Sequence, residues 1–299
     1  MESRGLRLYI LLTRRFSVSL SILLVLSLAG CGGSLFVSRH AKADYLARQS
    51  GWSYELLAAA PFSVAAAIAP GRAGTGAPLI IYLEGDGLAF LGTHTISPDP
   101  TPNDPVGLRM ALAHGDAAVA YLARPCQYVV SGPCGPAYWT SHRYAPEVVA
   151  SLNLATDALK RRVGADRVIL VGYSGGGALA VLMASKRTDM AGLVTVAGNL
   201  DLAAWTRIQT LTPLFGSLDP ADAAASIATV PQVHFIGGRD DVVPNQVSRS
   251  YFRRVEAAGQ ARLISKDGFG HVCCWADDWQ SLSRDPALAA IPGWRQGRG

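Results

Sequence analysis

A short glycine-rich segment, Gly172-Tyr173-Ser174-Gly175-Gly176, joins an apolar run to a stretch of small apolar residues. Residues 167–171 before it are typical of a buried strand, and residues 175–187 after it are typical of a helix packed against a sheet. Glycines around the serine allow a tight turn that lifts its hydroxyl above the sheet edge, beside a helix N-terminus that favours negative charge. This context predicts that Ser174 is a nucleophile; the alternative is a structural turn.

A nucleophilic serine needs a base and an acid that orients the base, and two glycine-rich loops offer candidates. His271 ends a Gly-Phe-Gly-His segment that follows the last apolar run. Asp240 lies in a G-x-x-D-x-x-V-P pattern, whose spacing favours it over Asp241, with Asp201 as the spare candidate. The order of Ser174, Asp240 and His271 along the chain is the one expected for this chemistry on an α/β fold.

Short apolar runs alternate with helical stretches over most of the chain. Six runs are predicted to be strands, at residues 79–83, 117–123, 167–171, 193–197, 233–236 and 261–264. Four stretches are predicted to be helices, at residues 146–163, 175–187, 222–227 and 245–258. Nearly continuous apolar strands separated by helices predict an α/β fold with a mostly parallel sheet covered on both faces. The 49% hydrophobic content excludes an intrinsically disordered chain.

These loops together resemble the α/β-hydrolase family over about residues 78–275. The resemblance implies an eight-stranded sheet, a Ser-Asp-His triad and no metal or organic cofactor. It also implies an oxyanion hole made by the amide of Gly175 and a second amide, from Asp86 or Gly87. Many relatives carry His-Gly at that place, whereas this chain has Glu84 followed by glycine. A carboxylate there opposes an oxyanion unless it points away or pairs with a cation such as Arg124.

The N-terminus has the pattern of an export signal. Residues 1–17 contain four arginines and one acid, and a short apolar run follows at residues 18–28. That run is shorter than the roughly 20 residues that span a bilayer, which disfavours the alternative of an uncleaved membrane anchor.

The segment Leu28-Ala29-Gly30-Cys31 resembles a bacterial lipobox. The resemblance implies that residues 1–30 are a lipoprotein signal peptide and that Cys31 carries the lipid. We therefore expect a lipid-anchored tether at residues 31–50 and a single hydrolase domain at residues 51–299. In the Gram-negative lipoproteins that this segment resembles, an Asp after the Cys retains the protein at the inner membrane. If the cell is Gram-negative, Gly32 therefore favours the outer membrane of the cell envelope.

Most of the net charge belongs to this signal. The formal net charge is +5, but residues 1–30 contain four arginines and one glutamate, which leaves +2 for the rest. Because the chain has no dense Lys/Arg cluster with interleaved aromatic residues, we expect no nucleic-acid partner.

Four cysteines remain after Cys31, and an even number in an exported chain suggests disulfides. Cys126 and Cys134 flank a short loop and are the natural pair. Cys273 and Cys274 are adjacent in the chain. Because a bond between neighbours is strained, we expect them to pair with the first loop or to stay reduced. No metal-spaced His or Cys accompanies them, so a zinc site is not expected.

The predicted function is that of a lipid-anchored serine hydrolase acting on small-molecule or lipid-like carboxylic esters. Tyr173, Trp139, His142 and Asn199 are candidates for the substrate wall; for the loop that carries Trp139 and His142, the alternative is a structural role under a disulfide. A peptidase or thioesterase with the same triad is one alternative function. A catalytically silent hydrolase fold that serves as a binding or scaffolding lipoprotein is another. The oligomeric state stays open.

Overall fold

One eight-stranded sheet organises the computed structural model, which describes residues 38–115 and 118–295. In chain order the strands are β1 Ser53–Ala59, β2 Phe62–Ile68, β3 Leu79–Leu83, β4 Val119–Leu122, β5 Val168–Tyr173, β6 Met190–Val196, β7 Gln232–Gly237 and β8 Ala261–Lys266. Their order across the sheet is β1-β2-β4-β3-β5-β6-β7-β8. The six strands β3 to β8 run parallel to one another. Strands β1 and β2 form an antiparallel hairpin, and β2 pairs antiparallel with β4.

Helices cover both faces of the sheet. Along β3, Leu79, Ile81 and Leu83 face one core cluster while Ile80 and Tyr82 face another, so a buried strand alternates between two layers. The helices are α1 Arg39–Gln49, α2 Val106–Leu112, α3 Pro146–Val163, α4 Gly175–Ala184, α5 Leu202–Ile208, α6 Pro220–Ala223, α7 Asn245–Val255 and α8 Trp279–Leu282. Residues of α3, α4 and α7 belong to the first cluster, and residues of α1, α2 and α8 belong to the second.

The predicted α/β fold with a mostly parallel sheet is confirmed. The six predicted strands correspond to β3–β8 with shifts of a few residues at their ends, and the helix predicted at 146–163 has those bounds in α3. The stretch predicted as one helix at 222–227 consists instead of α6 and a 3-10 turn at Ala224–Ile227.

The domain begins earlier than the sequence predicts. Residues 39–49 form α1, whose Ala43 and Ala47 are fully buried against the sheet, so most of the predicted tether belongs to the folded domain. Only small residues four apart mark the buried side of this helix, which gives no apolar periodicity to detect. The predicted signal peptide and Cys31 lie outside the described residues. No helix within residues 38–115 and 118–295 is long and apolar enough to span a membrane.

Candidate active site

Ser174 occupies the sharp turn between β5 and α4. Its backbone has φ 53° and ψ −121°, in a region that L-residues rarely adopt, and its side chain accepts no capping hydrogen bond from α4. The glycines let this turn approach its neighbours, because a Cβ at Gly176 would collide with the carbonyl oxygens of Leu83 and Glu84. The strained turn therefore directs the serine hydroxyl toward the carboxyl edge of the sheet.

Ser174, His271 and Asp240 form one hydrogen-bonded chain. The Oγ of Ser174 lies 2.9 Å from Nε2 of His271, and Nδ1 of the same ring lies 2.9 Å from Oδ2 and 3.1 Å from Oδ1 of Asp240. The three side chains come from loops that follow β5, β8 and β7, which end at the same edge of the sheet. The arrangement fits a serine whose proton passes to the imidazole and an imidazole oriented by a carboxylate.

The acid is fixed by its own loop. Oδ1 of Asp240 accepts hydrogen bonds from the amides of Val242 and Val243, at 3.0 and 2.8 Å. The indole of Trp205 donates to the carbonyl oxygen of Val242 at 2.8 Å, which ties this loop to α5.

The two other candidate acids do not contact the histidine. Asp241 is exposed. Asp201 caps α5 by accepting a hydrogen bond from the amide of Ala204. The structure therefore brings Asp240, rather than the spare candidates, to the histidine.

The loop that carries His271 is held by a hydrogen bond to Tyr173 and contains a disulfide. The hydroxyl of Tyr173 donates to the carbonyl oxygen of His271 at 3.0 Å. Cys273 and Cys274, two residues further on, form a disulfide with each other. The expectation that they pair elsewhere or stay reduced is therefore corrected: the peptide between them is cis, and their Cα atoms lie 3.0 Å apart.

Three backbone amides that the sequence predicts for the oxyanion hole have no hydrogen-bond acceptor among the described residues. The amides of Gly175, Asp86 and Gly87 donate no hydrogen bond to any residue that the structure describes. A Cβ added at Gly85 would contact the Tyr173 ring and lie 3.4 Å from Cβ of Ser174, so the loop after β3 packs directly against the nucleophile. The amides of Gly175 and of this loop are therefore available to bind an oxyanion.

The carboxylate of Asp86 is neutralised by two buried arginines. It pairs with Nη1 of Arg124 and lies 2.6 Å from Nη1 of Arg143, whereas the Tyr144 hydroxyl donates to it at 3.1 Å. The arginine side chains are only 5% and 7% exposed. Burial raises the pKa of Asp86, but Arg143 and Arg124 together lower it by more than burial raises it, so the pKa is about 2. A Cβ at Gly175 would collide with this carboxylate, so the ionic cluster lies against the oxyanion amide.

Glu84 is buried behind the same loop. Its Oε1 accepts from the amides of Gly85 and Gly107, at 3.0 and 3.1 Å, and its Oε2 accepts from the Tyr121 hydroxyl at 3.1 Å. Burial raises the pKa of Glu84 to about 7, against the opposing effect of these hydrogen bonds. Glu84 thereby connects the loop after β3 to the start of α2.

A disulfide-closed loop braces the oxyanion side. Cys126 and Cys134 form a disulfide with a Cα–Cα distance of 5.6 Å. Gln127 follows the first cysteine, and its Nε2 donates to the carbonyl oxygen of Gly85 at 2.9 Å. Arg124 precedes that cysteine and reaches Asp86. The loop after β4 therefore binds the loop after β3 through two side chains, one on each side of Cys126.

The four predicted wall residues lie in different environments. Tyr173 lies behind the histidine, and Trp139 is buried with its indole donating to the carbonyl oxygen of Ser97. Asn199 is buried beside the nucleophile, and its Oδ1 has no partner among the described residues. His142 is the exposed member of the four.

Solved structures of other proteins share the fold of this chain. No protein-family model matches the chain, and no curated protein sequence matches it. The Pyrococcus furiosus esterase Pf2001 has a TM-score of 0.58 and 13% identity, with 82% of this chain and 95% of the esterase covered. Est1E from Butyrivibrio proteoclasticus has a TM-score of 0.53 and 14% identity, covering 80% of this chain and 98% of that one. The Pyrococcus horikoshii acylaminoacyl peptidase has a TM-score of 0.61 and 11% identity, covering 83% of this chain and 43% of the peptidase.

The chain has the α/β-hydrolase fold. The predicted resemblance in fold is confirmed, and at this level of identity the likeness concerns the fold alone. Function has to be argued from the site.

Within the α/β-hydrolase fold, sequence reasoning missed the groups that hold the oxyanion loop. It named Arg124 as a partner for a carboxylate but did not identify Gln127, Arg143 or Tyr144. These residues come from loops after β4 and before α3, far from Asp86 in sequence. No local motif marks them, because what relates them to Asp86 is the order of strands in the sheet.

Proposed function

We propose that this protein is a serine hydrolase that cleaves carboxylic esters. The observation that carries the proposal is the hydrogen-bonded chain from Ser174 Oγ through His271 to Asp240, with both contacts of the imidazole at 2.9 Å. The strained turn at Ser174 and the unpartnered amides beside it complete the groups that acyl transfer requires.

The chemistry follows from these positions. Nε2 of His271 takes the proton of Ser174 as Oγ attacks the ester carbonyl, and Asp240 stabilises the imidazolium that forms. The amides of Gly175 and Asp86 bind the oxyanion of the tetrahedral intermediate. His271 then returns the proton to the leaving alcohol and leaves an acyl-enzyme. Water, deprotonated by the same imidazole, releases the acid and restores the serine.

The loops around the site support an ester rather than a peptide substrate. Within the described residues, the segment between β6 and β7 contributes only the short helices α5 and α6 and their connections. This chain covers 95% of the Pyrococcus furiosus esterase but only 43% of the Pyrococcus horikoshii acylaminoacyl peptidase. The described residues therefore correspond to nearly the whole esterase but to less than half of the peptidase.

Covalent labelling tests the nucleophile. A fluorophosphonate probe should label the wild-type protein and Ser185→Ala, a control at the other end of α4, and should not label Ser174→Ala. Equal labelling of the two alanine variants contradicts the assignment. Absence of labelling in the wild-type protein, under conditions where known esterases react, indicates a catalytically silent fold. A panel of ester, thioester and peptide substrates then tests the preference for esters.

We further propose that Cys31 carries a lipid that anchors the enzyme in the cell envelope, and that Gly32 favours the outer membrane if the cell is Gram-negative. The sequence around Cys31 supports this proposal. Metabolic labelling with a clickable fatty acid should mark the wild-type chain and should fail in Cys31→Ala. Labelling that persists in the variant contradicts the anchor.

A further inference from the structure

The disulfide between Cys273 and Cys274 begins two residues after the proposed base, His271. Cys273 is exposed and Cys274 is half-buried, whereas the next residue, Trp275, is fully buried. The proposed proton transfer uses neither sulfur. Because the two cysteines are adjacent, their disulfide closes no long loop and constrains the chain only locally. Its effect therefore falls on the residues directly beside it.

Both sides of this disulfide contact Gly270, the residue directly before His271. The amide of Gly270 donates to the carbonyl oxygen of Cys273 at 2.8 Å. The indole of Trp275 donates to the carbonyl oxygen of Gly270 at 3.0 Å. One of these groups belongs to Cys273 and the other to the residue after Cys274. The disulfide therefore fixes the part of the chain that connects the two groups holding Gly270.

Trp275 anchors this arrangement in the core. Its side chain is fully buried, and the centroid of its ring lies 4.7 Å from that of Phe269. The carbonyl oxygen of Phe269 accepts a hydrogen bond at 2.9 Å from the amide of Arg239, in the loop that carries Asp240. The segment before the base is therefore bound both to the core and to the loop of the acid.

The imidazole of His271 has to satisfy two contacts at once. Its Nε2 lies 2.9 Å from Oγ of Ser174, and its Nδ1 lies 2.9 Å from Oδ2 of Asp240. A rotation of the backbone at Gly270 moves the ring relative to both partners. A misplacement of about 1 Å can lower the rate of an enzyme by about 10²-fold. The hold on Gly270 therefore bears directly on the rate.

We propose that the Cys273–Cys274 disulfide is a positioning group for His271, and that a dithiol which reduces it slows ester hydrolysis. The inference rests on the proposed function, because the position of the base controls a rate only in a hydrolase. With the disulfide closed, the chain from Cys273 to Trp275 holds Gly270 on both sides. With the disulfide open, that chain rotates more freely, and the imidazole loses its alignment with Ser174.

The reduction is an ordinary thiol–disulfide exchange. A thiolate of the dithiol attacks Sγ of Cys273, the more exposed of the two cysteines, and the bond to Sγ of Cys274 breaks. The second thiol of the reductant then attacks the mixed disulfide and leaves as part of a cyclic disulfide. Two electrons and two protons pass from the dithiol to the protein, and both cysteines become thiols.

Reversible reduction of the full chain tests the proposal. The protein is treated with dithiothreitol, and mass spectrometry after alkylation measures the thiols at Cys273 and Cys274. On a soluble ester, kcat of the reduced protein should fall about 10-fold with KM unchanged, and reoxidation with diamide should restore it. The low-field NMR resonance of the proton between Nδ1 of His271 and Asp240 should weaken on reduction and return on reoxidation.

Cys273→Ser/Cys274→Ser is the matched control, because dithiothreitol can also open the second disulfide, between Cys126 and Cys134. This variant keeps that second disulfide, so any response of its kcat to the reductant comes from there. Before treatment, the variant should already have the low kcat of the reduced wild-type protein. Equal fold losses on reduction of the wild-type protein and the variant overturn the proposal.

Two further outcomes overturn the proposal. One is an unchanged kcat in protein whose Cys273 and Cys274 are measured as thiols. The other is a lowered kcat with an intact low-field resonance, because the base is then still in place. If the double variant does not fold, reduction and reoxidation of the wild-type protein decide the question through the same resonance. Failure of the proposed function is distinguishable, because the untreated protein then cleaves no ester and takes up no fluorophosphonate.

Discussion

The two sides of the active site are built on different principles. On the triad side, the proposed mechanism uses the side chains of Ser174, His271 and Asp240, each of which follows a separate strand. On the oxyanion side, the proposed donors are backbone amides, and buried carboxyl groups hold the surrounding loop in place. Glu84 and Asp86 both serve that purpose.

This difference shows where precision comes from on each side. A triad side chain is positioned by its own loop, as the amides of Val242 and Val243 position Asp240. An amide has no side chain to anchor, so its loop must be braced from outside. Here the brace is an ionic cluster of one carboxylate and two buried arginines. Substitutions on the triad side should therefore change the chemistry, and those on the oxyanion side should change both stability and rate.

The largest effect is expected at Asp240. Asp240→Asn keeps the shape of the side chain but removes the charge that stabilises the imidazolium, so kcat on a soluble ester should fall about 10⁴-fold. Asp241→Asn is the matched control, because its carboxylate is adjacent in sequence but exposed. Steady-state kinetics of the two variants measures the difference. Similar losses in both variants would show that the histidine is oriented by another group.

Glu84→Gln tests the other buried carboxyl group on the oxyanion side through the pH dependence of stability. Burial raises the pKa of Glu84 from 4.5 to about 7 in the folded state. The folded state therefore binds the proton more tightly than the unfolded state. As pH rises from about 4.5 to about 7, the wild-type free energy of unfolding should fall by about 3 kcal/mol relative to Glu84→Gln.

Denaturant unfolding of both proteins at pH 5 and pH 8 measures this change, and Glu256→Gln provides an exposed control. Loss of the second carboxylate oxygen adds a constant offset, so the diagnostic quantity is the change with pH. An identical pH dependence in the wild-type protein and Glu84→Gln would show that the pKa of Glu84 is not raised in the folded state.

Asp86→Asn separates positioning from simple stability. The substitution leaves Arg124 and Arg143 without their shared carboxylate beside Gly175. We expect kcat to fall about 10²-fold with little change in KM. The displaced amide would bind the oxyanion of the transition state less well, whereas it contributes little to binding the ground-state substrate. Asp104→Asn, which breaks a half-exposed ion pair with Arg109, is the control. If Asp86→Asn lowers the free energy of unfolding but leaves kcat unchanged, the cluster has only a structural role.

The same division explains what could be predicted from the sequence. The fold was predictable because β5 and α4 meet at Ser174 with apolar residues on one side and glycines on the other. The candidate triad was recognisable because glycine-rich loops follow the strands before Asp240 and His271. The support of the oxyanion loop was not predictable, since Gln127 and Tyr144 reach it only through the sheet order. The helix α1 was missed because alanines at 43 and 47 mark its buried side.

The smallest effect is expected at Tyr173, which joins the two sides of the site. Its ring lies against Gly85 on the oxyanion loop, and its hydroxyl donates to the carbonyl oxygen of His271 at 3.0 Å. Tyr173→Phe removes one hydrogen bond worth about 1 kcal/mol, so kcat should fall about 5-fold with KM unchanged. Tyr251→Phe is the matched control, because its hydroxyl donates to Gln232 in the core at 2.9 Å. Both variants should lose similar stability, and only Tyr173→Phe should lose rate. Equal kinetics in the two variants would mean that the histidine loop keeps its position without this bond, and that the disulfide of Cys273 and Cys274 or the packing of the ring is sufficient to hold it.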